Sequence, residues 1–309
     1  MKRCPAAHSW RSQTAAAART AAVLTCASLL ATGCFACAMT GQRSSAAAPA
    51  HDLSQVTRWW ILIGHSNAVD TLDWRQRTRD ADMVILSDDP RIPVRDLAEG
   101  TLRLAYLSVG EADRHRPYWP AVEAQPFLIE ANPHWPDNFR VDLRDAAWQR
   151  ILLDQEIPRL LARGFQGLML DTIDTAPYLE TKDPTRFAGT RQALRTFLAR
   201  VRERHPGIAL LANGTEALQD AAPVVDGYVV EGLFATYDFA RHDYRPTTES
   251  ERSWKLAQID RAQANARRPV FTIEYASVGD VALARWATAG SAEHGFRPYV
   301  TVKDINSLP

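Results

Sequence analysis

Cysteine is confined to one end of the chain. All four, Cys4, Cys26, Cys34 and Cys37, fall in the first 37 of 309 residues, and the remaining 272 contain none. The body therefore carries no disulfide framework, no zinc ribbon and no thiol nucleophile. Net charge is absent too, since 36 bases balance 36 acids. The balance is uneven: residues 1–51 hold five bases and no acid, which leaves 31 bases against 36 acids from Asp52 onward. A mildly acidic body argues against nucleic acid as a partner, because phosphate binding needs a basic face. No apolar run approaches the roughly 20 residues of a membrane span. A Gly-rich phosphate turn is also missing: the first apolar strand candidate is followed by Gly64-His65-Ser66-Asn67, not by the G-x-G-x-x-G of doubly wound sheets.

What is present begins with an address. Lys2, Arg3, Arg11 and Arg19 precede the apolar run A-A-V-L-T-C-A-S-L-L-A over 21–31, the pattern of a secretory signal, expected over residues 1–33. The run ends in Leu30-Ala31-Thr32-Gly33-Cys34. This resembles a bacterial lipobox with Cys34 as the lipidated residue, although Ala31 stands where the motif prefers Leu. The expectation is an exported protein, a cell-envelope lipoprotein of a bacterium or else secreted, with membrane attachment only through that lipid. Residues 34–57, including G-Q-R-S-S-A-A-A-P-A, read as a flexible linker.

From residue 58 to 309 short apolar runs alternate with helical stretches, as in a parallel sheet. Strands are expected at 59–63, 83–87, 102–108, 167–171, 208–213, 227–231, 270–274 and 297–301. The last six are almost continuously apolar, as strands covered on both faces are. Between them, Leu194, Phe197, Leu198 and Val201 form one helical stripe, stopped by Pro206-Gly207. Asp145 and Asp280 fit as N-caps, Thr248 with Glu251 as a capping box, and Pro158 as a kink. Eight strands with alternating helices predict a single (β/α)8 TIM barrel in the α/β class, preceded by the signal segment and linker.

Barrel chemistry sits at the carboxyl ends of the strands. Those ends offer Asp88 and Asp89, Glu111, Asp171, Asp174, Glu231 and Glu274. Asp88 and Asp89 precede a proline and read equally well as turn residues, and Asp174 as a helix cap. Asp171 and Glu231 each terminate an apolar strand, where a carboxylate needs a partner or a function to offset desolvation. Two carboxylates flanking one bond is the arrangement of glycoside hydrolysis. The fourth and sixth strands are one strand apart, with backbones roughly 9–10 Å distant at about 4.8 Å per step, so retaining and inverting spacings both stay open. Aromatic residues collect near the same ends, and Tyr178 and Tyr237, expected in loops, are the best placed to meet a sugar.

The runs Y-L-S-V-G-E-A (106–112), G-F-Q-G-L-M-L-D-T-I-D (164–174), N-G (213–214), V-D-G-Y-V-V-E-G-L-F (225–234) and E-Y-A (274–276) together resemble glycoside hydrolase family 114, the endo-α-1,4-polygalactosaminidase group. The resemblance covers essentially all of 58–309. It implies that Asp171 and Glu231 are the catalytic pair, Asp171 as nucleophile or base and Glu231 as general acid, or the reverse. It also implies that Tyr106, Glu111, Asp174 and Asn213 line the cleft. Tyr237 and Glu274 join them as expected substrate-binding residues. Gln166 stands where the family usually has Asp, Glu274 where Asp-Tyr is common, and His65 where an aromatic is more usual.

The function expected is hydrolysis of an amino-sugar exopolysaccharide of the polygalactosamine type, without metal or other cofactor. An acid-lined cleft would attract such a cationic polymer by its focused field. Two other readings compete: a non-catalytic glycan-binding barrel on the cell surface, and a metal-dependent hydrolase using the Asp cluster. The sequence sets no oligomeric state.

Overall fold

Eight parallel strands are joined in the order β1 (Trp59–Leu62), β2 (Met83–Leu86), β3 (Leu102–Ser108), β4 (Gly167–Asp171), β5 (Ala209–Asn213), β6 (Gly227–Glu231), β7 (Val270–Tyr275) and β8 (Arg297–Thr301). The structure, a computed structural model, describes residues 51–306. Every strand falls within a residue of its predicted bounds, and spatial order follows chain order, the pattern of a (β/α)8 barrel. β2, β5 and β7 are buried at every position, which is why they read as unbroken apolar runs.

β1 and β8 lie at the two ends of this order, with no ladder described between them. The seam is closed by other means. Trp59 Nε1 donates to the Arg297 carbonyl at 3.1 Å, while Trp59 packs edge-on against Phe271 and tilted against Tyr299. Beyond the strands, the Ile63 and Gly64 amides both donate to the Ile305 carbonyl.

The helices form where expected. Leu194, Phe197, Leu198 and Val201 are all fully buried along Thr190–Arg204. Asp145 and Asp280 cap their helices, and Thr248 and Glu251 make both halves of a capping box. Pro158 acts through the turn before it: Ile151–Glu156 is π-helical between the α segments Ala146–Arg150 and Ile157–Ala162. A proline has no N–H for the carbonyl four residues back, and widening the turn accommodates its ring.

Two features depart from the sequence-based expectation. Residues 51–57 are packed structure, not linker: Leu53 and Val56 are buried, and Arg297 donates to the carbonyls of Val56 and Ser54. Two apolar side chains three residues apart bury one face of a short turn, which composition alone does not reveal. Two small antiparallel sheets also rise beyond the barrel. One follows β3 and joins Glu111–Asp113, Leu128–Ala131 and Asn138–Val141; the other is a hairpin after β6, Ala235–Asp238 with Asp243–Pro246. The signal segment, most of the linker and Cys34 lie outside the described residues. Among the described residues no helix is long and apolar enough to cross a membrane.

Candidate active site

A cleft of about 550 Å³ opens at the carboxyl ends of the barrel strands. Asp171 ends β4 and Glu231 ends β6, and Asn213, at the end of the intervening β5, joins them. Its side-chain nitrogen donates to Asp171 Oδ1 at 2.8 Å and to Glu231 Oε1 at 2.6 Å. Two acceptors on one nitrogen can lie no farther apart than the two bonds laid end to end, so these two oxygens are within about 5.4 Å of each other. The Tyr275 hydroxyl donates to Glu231 Oε2. Asp171 takes its hydrogen bond from Asn213, with the Tyr106 hydroxyl close beside it. Burial, reinforced by the charge of Glu231, pushes Asp171 up to about 8. Near neutrality the pair therefore carries a proton, as crowded carboxylates do. Burial also raises both tyrosine hydroxyls, with Asp171 and Glu231 adding to it, so they stay protonated donors.

The turn after Asp171 is held tightly. Thr172 adopts φ 57°, which a β-branched residue takes only under constraint. The constraint comes from its hydroxyl, which accepts the Gly110 amide, contacts Ser108 Oγ at 2.9 Å and donates to the Asp171 carbonyl. A Cβ at Gly110 would sit 2.1 Å from the Thr172 carbonyl oxygen, so only glycine fits. The N-G run has a similar cause: Gly214 has φ 139°, and a Cβ there would lie 2.7 Å from Ile173 Cγ1 and 2.9 Å from the Asp174 nitrogen.

Asp174 precedes helix Thr175–Lys182 without capping it through its side chain. It faces the cleft, where burial and the charges of Glu111, Glu216 and Glu231 push it up to about 7. Glu111 lines the cleft as well, accepting from Asn132 Nδ2 at 3.0 Å with Arg140 Nε 3.8 Å away, and burial raises it. Tyr106 and Tyr178 complete the expected lining, Tyr178 from a helix and not a loop.

Other expected residues lie elsewhere. Asp88 is taken up by Arg116 and Arg159, and Asp89 by Arg91. Tyr237 is on the hairpin after β6, beside the cleft mouth and not among its lining residues. Glu274 does not reach the cleft. It is fully buried; Oε2 accepts the Phe234 and Ala235 amides at 2.9 and 2.8 Å, and Oε1 accepts Ser291 Oγ at 2.8 Å. It braces the turn that follows Glu231. Glu274→Ala should cost about 2–4 kcal/mol, because it strands buried donors, and lower Tm by roughly 5–15 °C. Glu274→Gln, which keeps an acceptor for the amides, should cost less than half as much; thermal melts of the two variants decide it.

Asn132, Arg140, Glu216, Lys303 and Asp304 line the cleft without having been foreseen. The first two arrive on the sheet inserted after β3, whose only sequence signal is the turn-forming N-P-H-W-P-D-N run over 132–138. Among the described residues, no group of three or more His, Cys, Asp and Glu side chains is arranged to hold a metal ion.

Residues 40–308 match the model of glycoside-hydrolase family GH114. The chain belongs to this family. An uncharacterised protein of Deinococcus radiodurans is 33% identical over 271 residues, 83% of either chain. Among GH114-like solved structures, the glycoside hydrolase domain of PelA from Pseudomonas aeruginosa superposes with a TM-score of 0.69 at 25% identity, covering 82% of this chain and 97% of that one. Ega3 of Aspergillus fumigatus, solved in complex with galactosamine, has the same fold, with a TM-score of 0.56 at 18% identity, covering 81% of this chain and 92% of that one. This GH114 member is accordingly a glycosidase built on a TIM barrel, and its cleft occupies the end of the barrel where such enzymes do their chemistry.

Proposed function

We propose that the protein hydrolyses an amino-sugar polysaccharide of the α-1,4-polygalactosamine type with retention of configuration, Asp171 attacking and Glu231 serving as general acid and base. The carrying observation is the single Asn213 amide bonded to both carboxylates, which draws one oxygen of each toward the other and supports the close pairing that a covalent intermediate needs. In the empty cleft burial keeps the proton of the pair on Asp171, and this assignment of roles requires it to pass to Glu231 once a sugar fills the cleft. Asp171 forms a bond to the anomeric carbon as the glycosidic C–O bond breaks, and the leaving oxygen takes its proton from Glu231. Glu231 then removes a proton from water, whose oxygen attacks the same carbon and releases Asp171.

The amino-sugar part of the reading is supported by the galactosamine held by Ega3 and by charge. Seven acids line the cleft, Glu111, Asp113, Asp171, Asp174, Glu216, Glu231 and Asp304, against three bases, Arg116, Arg140 and Lys303, an excess that draws in a cationic polymer. Export as a lipoprotein anchored through Cys34 would place the enzyme where such polymers occur. Incubation of the purified protein with partially deacetylated galactosaminogalactan should release new reducing ends. Binding with no new ends would make it a glycan-binding barrel, and loss of activity to a chelator with recovery on a divalent ion would make it a metallohydrolase.

A further inference from the structure

Lys303, on the segment beyond β8, is a cation at the mouth of this acidic cleft. Its ammonium lies 5.4 Å from the ring centre of Trp135 and 5.5 Å from that of Tyr237, with Asp304 as its ion-pair partner. Three distant parts of the chain converge here. Trp135 comes from the turn between strands Leu128–Ala131 and Asn138–Val141, Tyr237 from the hairpin after β6, and Lys303 from past the last strand. The surroundings fix the rings. Tyr237 packs edge-on against Phe239 and Tyr244, each at 5.1 Å, and Trp135 packs edge-on against Phe239 at 6.3 Å. The Tyr244 hydroxyl in turn accepts the Lys303 amide at 3.1 Å. Trp135 is 40% exposed and lines the cleft.

Two aromatic rings within about 6 Å of one cation is how proteins hold an ammonium group. A deacetylated hexosamine carries such a group on every ring, and an N-acetylated one carries none. We propose that Trp135 and Tyr237 form an ammonium-binding subsite at the cleft mouth, occupied in the empty enzyme by the chain's own Lys303 and taken over by a deacetylated sugar unit of the substrate. The four-carbon stem of Lys303 lets its head swing aside, and Asp304 is the carboxylate beside it. This subsite rests on the amino-sugar reading above, and it makes recognition depend on acetylation at a unit beyond the scissile bond.

The test uses the full chain carrying Asp171→Asn, so that nothing is hydrolysed during titration. Dissociation constants are measured by calorimetry for a fully deacetylated α-1,4-galactosamine oligosaccharide and its N-acetylated counterpart, with and without Lys303→Met, Trp135→Ala and both. Removing the internal occupant should tighten binding of the deacetylated oligomer about five- to tenfold relative to the acetylated one. Trp135→Ala should weaken it by a similar factor, and the gain from Lys303→Met should vanish when Trp135 is absent. A gain that survives in the double variant would overturn the subsite, since Lys303 would then merely repel a cationic chain. Equal weakening of both oligomers by Lys303→Met would overturn it as well, reducing the lysine to a strap between loops. If the unmutated protein releases no reducing ends, the amino-sugar reading falls and the subsite with it. If it does release them and Lys303→Met leaves the ratio of constants unchanged, only the subsite falls.

Discussion

Asp171→Asn is expected to lower kcat/KM on the polymer by at least ~10³-fold, the scale on which losing a nucleophile or general acid acts, and at the same time to raise the melting temperature. The two effects share a cause. Burial and the Glu231 charge hold the Asp171 carboxyl up to about 8, so the fold retains a proton that the unfolded chain gives up near pH 4. Stability from this group is therefore fully present below the ordinary carboxyl range and declines as pH rises toward 8. Asparagine has nothing to lose over that window. The variant should match the parent near pH 4 and melt increasingly above it as pH rises toward 8. Glu231→Gln should show the same loss of activity. Either variant cleaving at more than a tenth of the parental rate would remove these two residues from the chemistry, and equal melting temperatures at pH 8 would mean that Asp171 is not held protonated.

Asn213→Ala should reduce kcat by about 10²-fold, as expected when a preorganised donor aimed at developing charge is removed, although Asn213 itself cannot transfer a proton. Its amide is the donor common to both carboxylates. Without it their repulsion is less compensated, and the ionised forms of both are disfavoured. Because the mechanism needs one proton in the pair, activity of the parent should fall as pH rises through about 8. In the variant that alkaline limb should move upward while the maximum rate drops. Profiles of kcat/KM against pH for the two proteins provide the measurement. An unmoved limb with a lowered rate would assign Asn213 to sugar contact instead of to the pair.

The barrel was legible because parallel strands covered on both faces leave a plain trace, a short apolar run closed by a turn. The catalytic candidates were legible for the complementary reason: Asp171 and Glu231 are charges at the end of such runs. Glu274 carries the same outward signature and was misplaced. Strand side chains alternate between faces, and Tyr275, one residue on, takes the inward direction to reach Glu231, which sends Glu274 toward Ser291. Run composition does not encode that parity. Asn132 and Arg140 were missed for another reason. Arg140 lies in, and Asn132 directly follows, a four-residue strand that is half-buried and without clean alternation, and the strand of Arg140 pairs with the distant Glu111–Asp113.

The way β1 meets β8 sets where this cylinder yields first. Elsewhere each stave is zipped to its neighbour along its length, whereas at this joint an indole packed on Tyr299, a guanidinium and a shared carbonyl beyond the strands take part in the fastening. Under heat or mechanical load the wall should part there, with the first and last staves peeling outward before the middle ones separate. New chain ends cut elsewhere, with the old ends tied across that joint, would turn the weakest line of the shell into a covalent one.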